Sequence, residues 1–382
     1  MESVHQQKWF LSGFQVTELI SASYLPLTFW IFPRIAIEQA DRDAQWSVLV
    51  AILTSVFMAW IHTLINQRFP TLTACEYTNL VYGKWLGKFF SFCYLPVYLA
   101  FTSICVYLFI TAIKPYFPST PRVVLEIVIF LVATRGAWIG VETLGRISSI
   151  VHPLTLAAVT FIFIFIMTQS NHFWLPHEIV SLPLTLKGAL HILPIYLGFS
   201  FFLLIGPYYN HNKRIAKWYP LISVFISGFV ILVAFFAVIL NLGWEGTRTL
   251  SFSIPFVLQL IRIQGFFVER LGILIIVVST AFSILFLAIH IWGISSLACQ
   301  IFTNSEKHYK YWVIPVSASG VIIASLIPNE QMIFDIINMI MVPASVVLLL
   351  IIPFTTLLIA MIRRIKTEPP PSFNFEGDRP QR

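Results

Sequence analysis

The sequence predicts an all-α integral membrane protein that crosses the bilayer about ten times. Three observations predict it. Of the 382 residues, 58% are hydrophobic and only 11% are charged, against roughly 25% charged residues in a soluble domain. The charges are missing from whole stretches. No Asp, Glu, Lys or Arg occurs in 44–67, 89–113, 147–177, 188–212, 218–244, 271–305, 311–329 or 336–362. Each stretch is near or above the roughly 20 residues a helix needs to cross hydrocarbon. Finally, these runs lack the alternation of a β-barrel strand. Backbone groups in lipid must be satisfied within the segment, so the runs read as helices.

Two further segments complete the count. Residues 9–33 carry one charged side chain before Arg34, Glu18, and 123–134 carry one, Glu126. The fourth span, 123–134, is short unless it runs through Trp138. Residues 67–88 read as a connection holding an interfacial helix. Residues 169–187 read as an outer loop with His172, His177 and Glu178. In 245–267 the spacing of Pro255, Phe256, Leu258, Leu260, Ile261 and Phe266 predicts an amphipathic surface helix. The domain spans 1–366. The tail 367–382, with Pro369, Pro370 and Pro371, reads as disordered and cytoplasmic.

Two thirds of the 24 Lys and Arg fall in the connections that are inner if the N-terminus is cytoplasmic. The positive-inside rule then places both termini in the cytoplasm. The net charge of +7 is a topology signal. Its scatter among loops argues against nucleic acid as a partner, and the lipid bilayer is the surface the chain meets. Residues 1–11 lack a basic n-region, so the first apolar run reads as a retained span. The four cysteines, at 75, 93, 105 and 299, show no CxxC spacing and read as small core residues. No Walker A, HExxH or GxSxG stretch occurs. The chain reads as a non-enzyme with no cofactor and no metal site.

Prolines 26, 96, 153, 194, 207, 343 and 353 lie inside spans. Proline removes a helical hydrogen bond, and at membrane depth the freed groups survive only against protein or a water-filled cavity. Broken helices of this kind build transporter substrate sites. The first span, around Ser21-Ala22-Ser23-Tyr24-Leu25-Pro26, and the sixth, around Pro194-Ile195-Tyr196-Leu197-Gly198-Phe199-Ser200, are the expected breaks. Ordinary kinks packed against neighbours are the alternative.

Four stretches carry a resemblance. They are Arg68-Phe69-Pro70 with Gly83-Lys84-Trp85-Leu86-Gly87-Lys88; Arg135-Gly136 with Gly140-Val141-Glu142, Arg146 and Pro153; Leu197-Gly198-Phe199 with Gly206-Pro207; and Gln264-Gly265-Phe266-Phe267-Val268-Glu269-Arg270-Leu271. In this order and spacing the chain resembles the spore germination permease family, the B subunit of spore germinant receptors, within the amino acid–polyamine–organocation transporter superfamily. The resemblance implies a LeuT-like five-plus-five inverted repeat, here about 9–168 and 188–366. It implies a small-molecule site between the first, third, sixth and eighth spans. It also implies a germinant such as an amino acid, sugar or nucleoside. The implied partners are a larger membrane A-type subunit and a lipoprotein C-type subunit, in the bacterial cell membrane or the spore inner membrane. One feature departs from the superfamily, which usually has glycine in the first break. No glycine occurs from Phe14 to Tyr82.

The candidate ligand contacts are Ser21, Ser23 and Tyr24 in the first span, Tyr98 and Thr102 in the third, Gly198 and Ser200 in the sixth, and Thr280 and Ser283 in the eighth. Hydroxyls at these positions also serve to bond their own helix or to join spans. Glu18 is an intramembrane carboxylate and a candidate for ion or proton coupling, with His152 and, more remotely, His290. Glu126 is expected at the membrane interface. Arg146, four residues after Glu142, is spaced for a helical ion pair. Gly83 with Gly87 and Gly136 with Gly140 are expected to serve as turns or close-packing points. The leading reading is a receptor subunit that binds a small germinant and signals through its partners; a proton- or sodium-coupled amino acid transporter is the alternative, and a ligand-free scaffold the third.

Overall fold

The computed structural model describes residues 11–170, 180–209, 211, 214–260, 271–303 and 308–367. His172, His177, Glu178, the stretch 264–270 and the tail beyond Thr367 lie outside them.

The described chain is helical nearly throughout. The first apolar segment is two helices, α1 (Gly13–Ala22) and α2 (Leu25–Ala40). Ser12 starts α1 with a capping box. Its hydroxyl accepts from the Gln15 N–H, and the Gln15 side chain accepts from the Ser12 N–H. Then follow α3 (Ala44–Arg68), α4 (Ala74–Tyr82), α5 (Lys84–Ile113), α6 (Arg122–Ile139) and α7 (Val141–Thr168). Helix α4 is the helix expected in the 67–88 connection, and Thr73 with Glu76 caps it in the same way. Helix α6 extends through Trp138. The second half holds α8 (Leu182–Ile192), α9 (Tyr219–Thr249), α10 (Ser253–Leu260), α11 (Leu271–Thr303) and α12 (Lys310–Leu326). Helix α10 begins the expected surface helix.

The last apolar stretch is α13 (Glu330–Ile336), α14 (Val342–Ser345) and α15 (Ile352–Ile362), joined by π-helical turns at Ile337–Met341 and Val346–Ile351. Pro343 and Pro353 each follow one of these wide turns, which accommodate a residue that cannot donate a hydrogen bond. Pro96 and Pro153 sit within continuous α5 and α7, so neither breaks its helix.

Seven helical stretches among the described residues are long and apolar enough to cross a bilayer, and α12 is a shorter apolar helix. Leucines and aromatic rings such as Leu53, Trp85 and Phe161 are exposed along them. Lipid covers such surface where water would not. The chain is a multi-pass membrane protein.

Gly83 and Gly140 turn the chain between α4 and α5 and between α6 and α7 with φ of 88° and 111°. That left-handed backbone favours glycine. Helix α11 runs through the middle of the bundle against α5, α6, α7 and α12. Helix α1 lies against α7 and α9.

Glu126 is fully buried. Arg122, one turn earlier, pairs with it at 2.7 Å, and Ser325 of α12 donates to its other oxygen at 2.8 Å. Arg122 also binds the Ala324 carbonyl at 2.8 Å and lies 3.7 Å over the Tyr107 ring. A carboxylate so partnered can be buried; one without partners could not.

Candidate functional site

Helix α1 stops at Ala22, and the next two residues leave the helical path before α2 begins. Pro26 lies in the first turn of α2, where a missing N–H leaves no bond unmade. The sixth segment gives way differently. Helix α8 ends at Ile192, and Leu193–Leu203 continues as a 3₁₀-helix with Pro194 in its first turn. Every residue of that stretch is buried.

The two breaks are bonded to each other. The Ser23 hydroxyl lies 2.8 Å from the Gly198 carbonyl and 2.7 Å from that of Ile20. A methyl group on Gly198 would overlap the Ser23 carbonyl oxygen. That oxygen, freed by the end of α1, accepts from His290 Nε2 of α11 at 2.7 Å. A carbonyl partner assigns the proton to Nε2, so in the neutral ring Nδ1 accepts from the Thr102 hydroxyl at 2.8 Å. Phe286, Phe201 and Phe101 ring the imidazole at centroid distances of 4.1, 4.7 and 5.5 Å. The joint therefore draws on the first, third, sixth and eighth apolar segments.

Beside it, the Tyr98 hydroxyl bonds directly to the Ser200 hydroxyl, which also lies 2.7 Å from the Leu197 carbonyl. Tyr98 and Ser200 line a cavity of about 20 Å³ that continues past Tyr94, Thr78, Ser91 and Thr356. That volume holds about one water. On the other side, Tyr24 is pinned to α9. Its hydroxyl lies 2.8 Å from Ser227 Oγ and 3.1 Å from the Ser223 carbonyl. Ser21 reaches Ser223 Oγ at 2.8 Å.

Seven of the nine ligand-contact candidates thus fall in one connected group: Ser21, Ser23, Tyr24, Tyr98, Thr102, Gly198 and Ser200. Thr280 and Ser283 sit elsewhere on α11, ten and seven residues before His290, around Phe282, whose ring lies 5.4 Å from that of His152. The group that α11 brings to the joint is His290. Glu18 and His152 form a separate buried pair, with His152 Nδ1 bonded to Glu18 Oε2.

Sequence reasoning missed Ser223 and Ser227, although two serines four apart on one helix face were a legible signal. It also missed His62 of α3. That ring meets Phe199 edge-on at 5.3 Å, and its Nδ1 bonds the Met58 carbonyl at 2.8 Å.

A sequence model of the family described as "Spore germination protein" matches residues 10–333. Spore germination protein YndE of Bacillus subtilis (strain 168) is 25% identical over 145 residues, covering 37% of this chain and 40% of that protein. Spore germination protein KB of the same organism is 24% identical over 247 residues, covering 61% and 64%. The chain thus spans less than two thirds of the length of either relative. Among solved structures, a Na+-coupled sialic acid symporter in its substrate-bound outward-open state superposes with a TM-score of 0.64 at 17% identity, over 89% of this chain and 78% of that one. MhsT in complex with L-phenylalanine superposes at 0.65 and 13%, over 92% and 97%. At such identities the likeness is one of fold, the LeuT-like transporter architecture. Neither this family nor these structural neighbours are enzymes. With its family match running from residue 10 to 333, this multi-pass chain belongs to the spore germination permease family.

Proposed function

We propose that this chain is the transporter-fold subunit of a spore germinant receptor, and that it binds a small germinant where its two broken segments meet. One observation carries the reading. The Ser23–Gly198 joint places freed main-chain carbonyls, an imidazole and several hydroxyls around one point, next to the cavity at Tyr98 and Ser200. A zwitterionic germinant would find acceptors for its ammonium at the end of α1 and hydroxyls for its carboxylate. Sugars and nucleosides would use the same hydroxyls. Because the joint is closely packed, the germinant would have to part the two breaks. It would then signal by favouring one of two arrangements of the bundle. The A-type and C-type subunits would read that change in the spore inner membrane, with both termini of this chain in the cytoplasm.

Spores carrying Ser200→Val, titrated with amino acids, sugars and nucleosides, test this reading, with membrane levels checked by immunoblot. The half-saturating germinant concentration is expected to rise about tenfold, the equivalent of one lost hydrogen bond of about 1.4 kcal/mol. An unchanged curve at normal protein level would remove the joint as the site.

A second reading, a proton- or sodium-coupled amino acid transporter, draws on the buried Glu18–His152 pair in a transporter fold. Net uptake of the germinant by vesicles holding this protein alone would favour it.

A further inference from the structure

We propose that Glu18 and His152 together form one buried proton-binding site that, when loaded, holds α1 against α7. The inference rests on the reading that the first break separates two movable parts.

Glu18 is 5% exposed and His152 is not exposed. Glu18 is the one ionisable side chain of α1. Its ionic partner among the described residues is His152. Their bond ties the middle of α1 to α7, and Leu11 and Gln15 continue the contact onto Gly145 of α7. At its start α1 is fixed by the Leu11 N–H donating to the Tyr208 carbonyl at 3.0 Å. At its end lies the break. On its other side α1 meets α9, where Thr17 lies 3.4 Å from the Tyr219 carbonyl and Ser21 2.8 Å from Ser223 Oγ, so the contact with α7 is the one that the Glu18–His152 pair closes.

The proton count is simple. With no added proton, a carboxylate accepts from Nδ1–H and Nε2 is bare, so the pair carries one negative charge. One added proton makes the pair neutral. It is then either imidazolium with carboxylate, or imidazole with carboxylic acid, and Nε2 carries a hydrogen in both. Nε2 is buried and has no hydrogen-bond partner. No protein group therefore fixes its protonation. A net charge left in an apolar helix interface is costly, so proton loss weakens the docking of α1.

The surrounding elements supply no other compensating charge. On α7, Glu142 and Arg146 are exposed and bonded to each other at 2.5 Å. On α9 the nearest titratable group is Tyr219; Glu245 and Arg248 lie at the far end of that helix. The Tyr24 hydroxyl is held by Ser223 and Ser227, and His290 by Ser23 and Thr102. On α11 Cys299 lies more than two turns beyond His290, and Tyr196 belongs to the 3₁₀ stretch. A hard metal cation would want several oxygen ligands. Here a nitrogen occupies one carboxylate oxygen, and no group of three His, Cys, Asp or Glu gathers among the described residues.

The test uses the full chain in nanodiscs, with its four cysteines changed to serine. Val16→Cys places a thiol on the buried face of α1, and Phe14→Cys gives an exposed reference on the same helix. The ratio of their labelling rates by a polar maleimide is measured across the acid-to-alkaline range, each rate first divided by that of the same thiol in denatured protein at the same pH, which removes thiol ionisation. The ratio is expected to rise about tenfold as the proton leaves, the equivalent of one lost hydrogen bond of about 1.4 kcal/mol. It should be flat in Glu18→Gln and His152→Gln. Glu18→Asp, which keeps a carboxyl, should keep a transition. The same rise in both Gln variants, a flat ratio in the parent, or a transition set by sodium and not by pH would each overturn the proposal. No germinant is present, so failure here leaves the receptor reading standing. An intact pH transition with no germinant response would sink the receptor reading alone.

Discussion

The two broken segments solve one problem in opposite ways. The first breaks abruptly over two residues without a glycine, and its tyrosine is bonded to α9. The sixth winds tighter over eleven residues and depends on Gly198. The difference lies in which chain yields space. Ser23 presents its carbonyl oxygen, and the facing position must be bare to receive it. One glycine between two touching breaks is enough, which accounts for the absence of glycine from Phe14 to Tyr82.

The comparison breaks most severely at Gly198. Gly198→Val forces a side chain onto the Ser23 carbonyl, and overpacking of this kind costs about 1–3 kcal/mol or more. A marked loss of Tm in detergent is expected, where Ser23→Gly should cost far less. Equal losses would contradict the asymmetry. His290→Ala comes next. It leaves the Ser23 carbonyl buried without its donor, at about 1–3 kcal/mol, while the Thr102 hydroxyl keeps the Tyr98 carbonyl at 2.7 Å. His290→Gln, which keeps a donor, should recover part of that stability. Tyr24→Phe tests the anchor on α9 and should cost about 1 kcal/mol, again read as Tm.

A further effect, read against pH, lies just past the sixth break. His211 donates from Nε2 to the Gly206 carbonyl at 2.7 Å, and burial pushes its pKa down from 6.5 to about 4 despite that bond. Protonation therefore favours the unfolded chain. The contribution of neutral His211 is complete above about pH 6.5 and is lost as the pH falls toward 4. A Tm-versus-pH curve should be flatter over that window in His211→Gln.

Much of this fold was legible in the sequence. Charge-free runs marked the apolar helices, and the glycines at 83 and 140 marked two turns. Proline was an ambiguous guide. Pro26 and Pro194 stand in first turns at the two breaks, while Pro96 and Pro153 lie within unbroken helices. Which residues meet was not legible. Ser23 finds Gly198 across 175 positions, and Thr102 finds His290 across 188. Ser283 and His290 are two turns apart on one face of α11, so periodicity could not choose between them. Nor was the burial of Glu126 legible, because its partner Ser325 lies on another helix.

The central claim is that a small germinant binds where the two breaks meet. Its most direct test is a thermal-shift screen of the purified chain against amino acids, sugars and nucleosides, with Ser200→Val in parallel. Binding at a hundred times Kd stabilises by about 2.7 kcal/mol. The account predicts at least one compound that, at that concentration, raises the Tm of the parent chain about twice as far as that of Ser200→Val, whose tenfold weaker binding leaves about 1.4 kcal/mol. A compound that shifts both equally, or a panel that shifts neither, would contradict it.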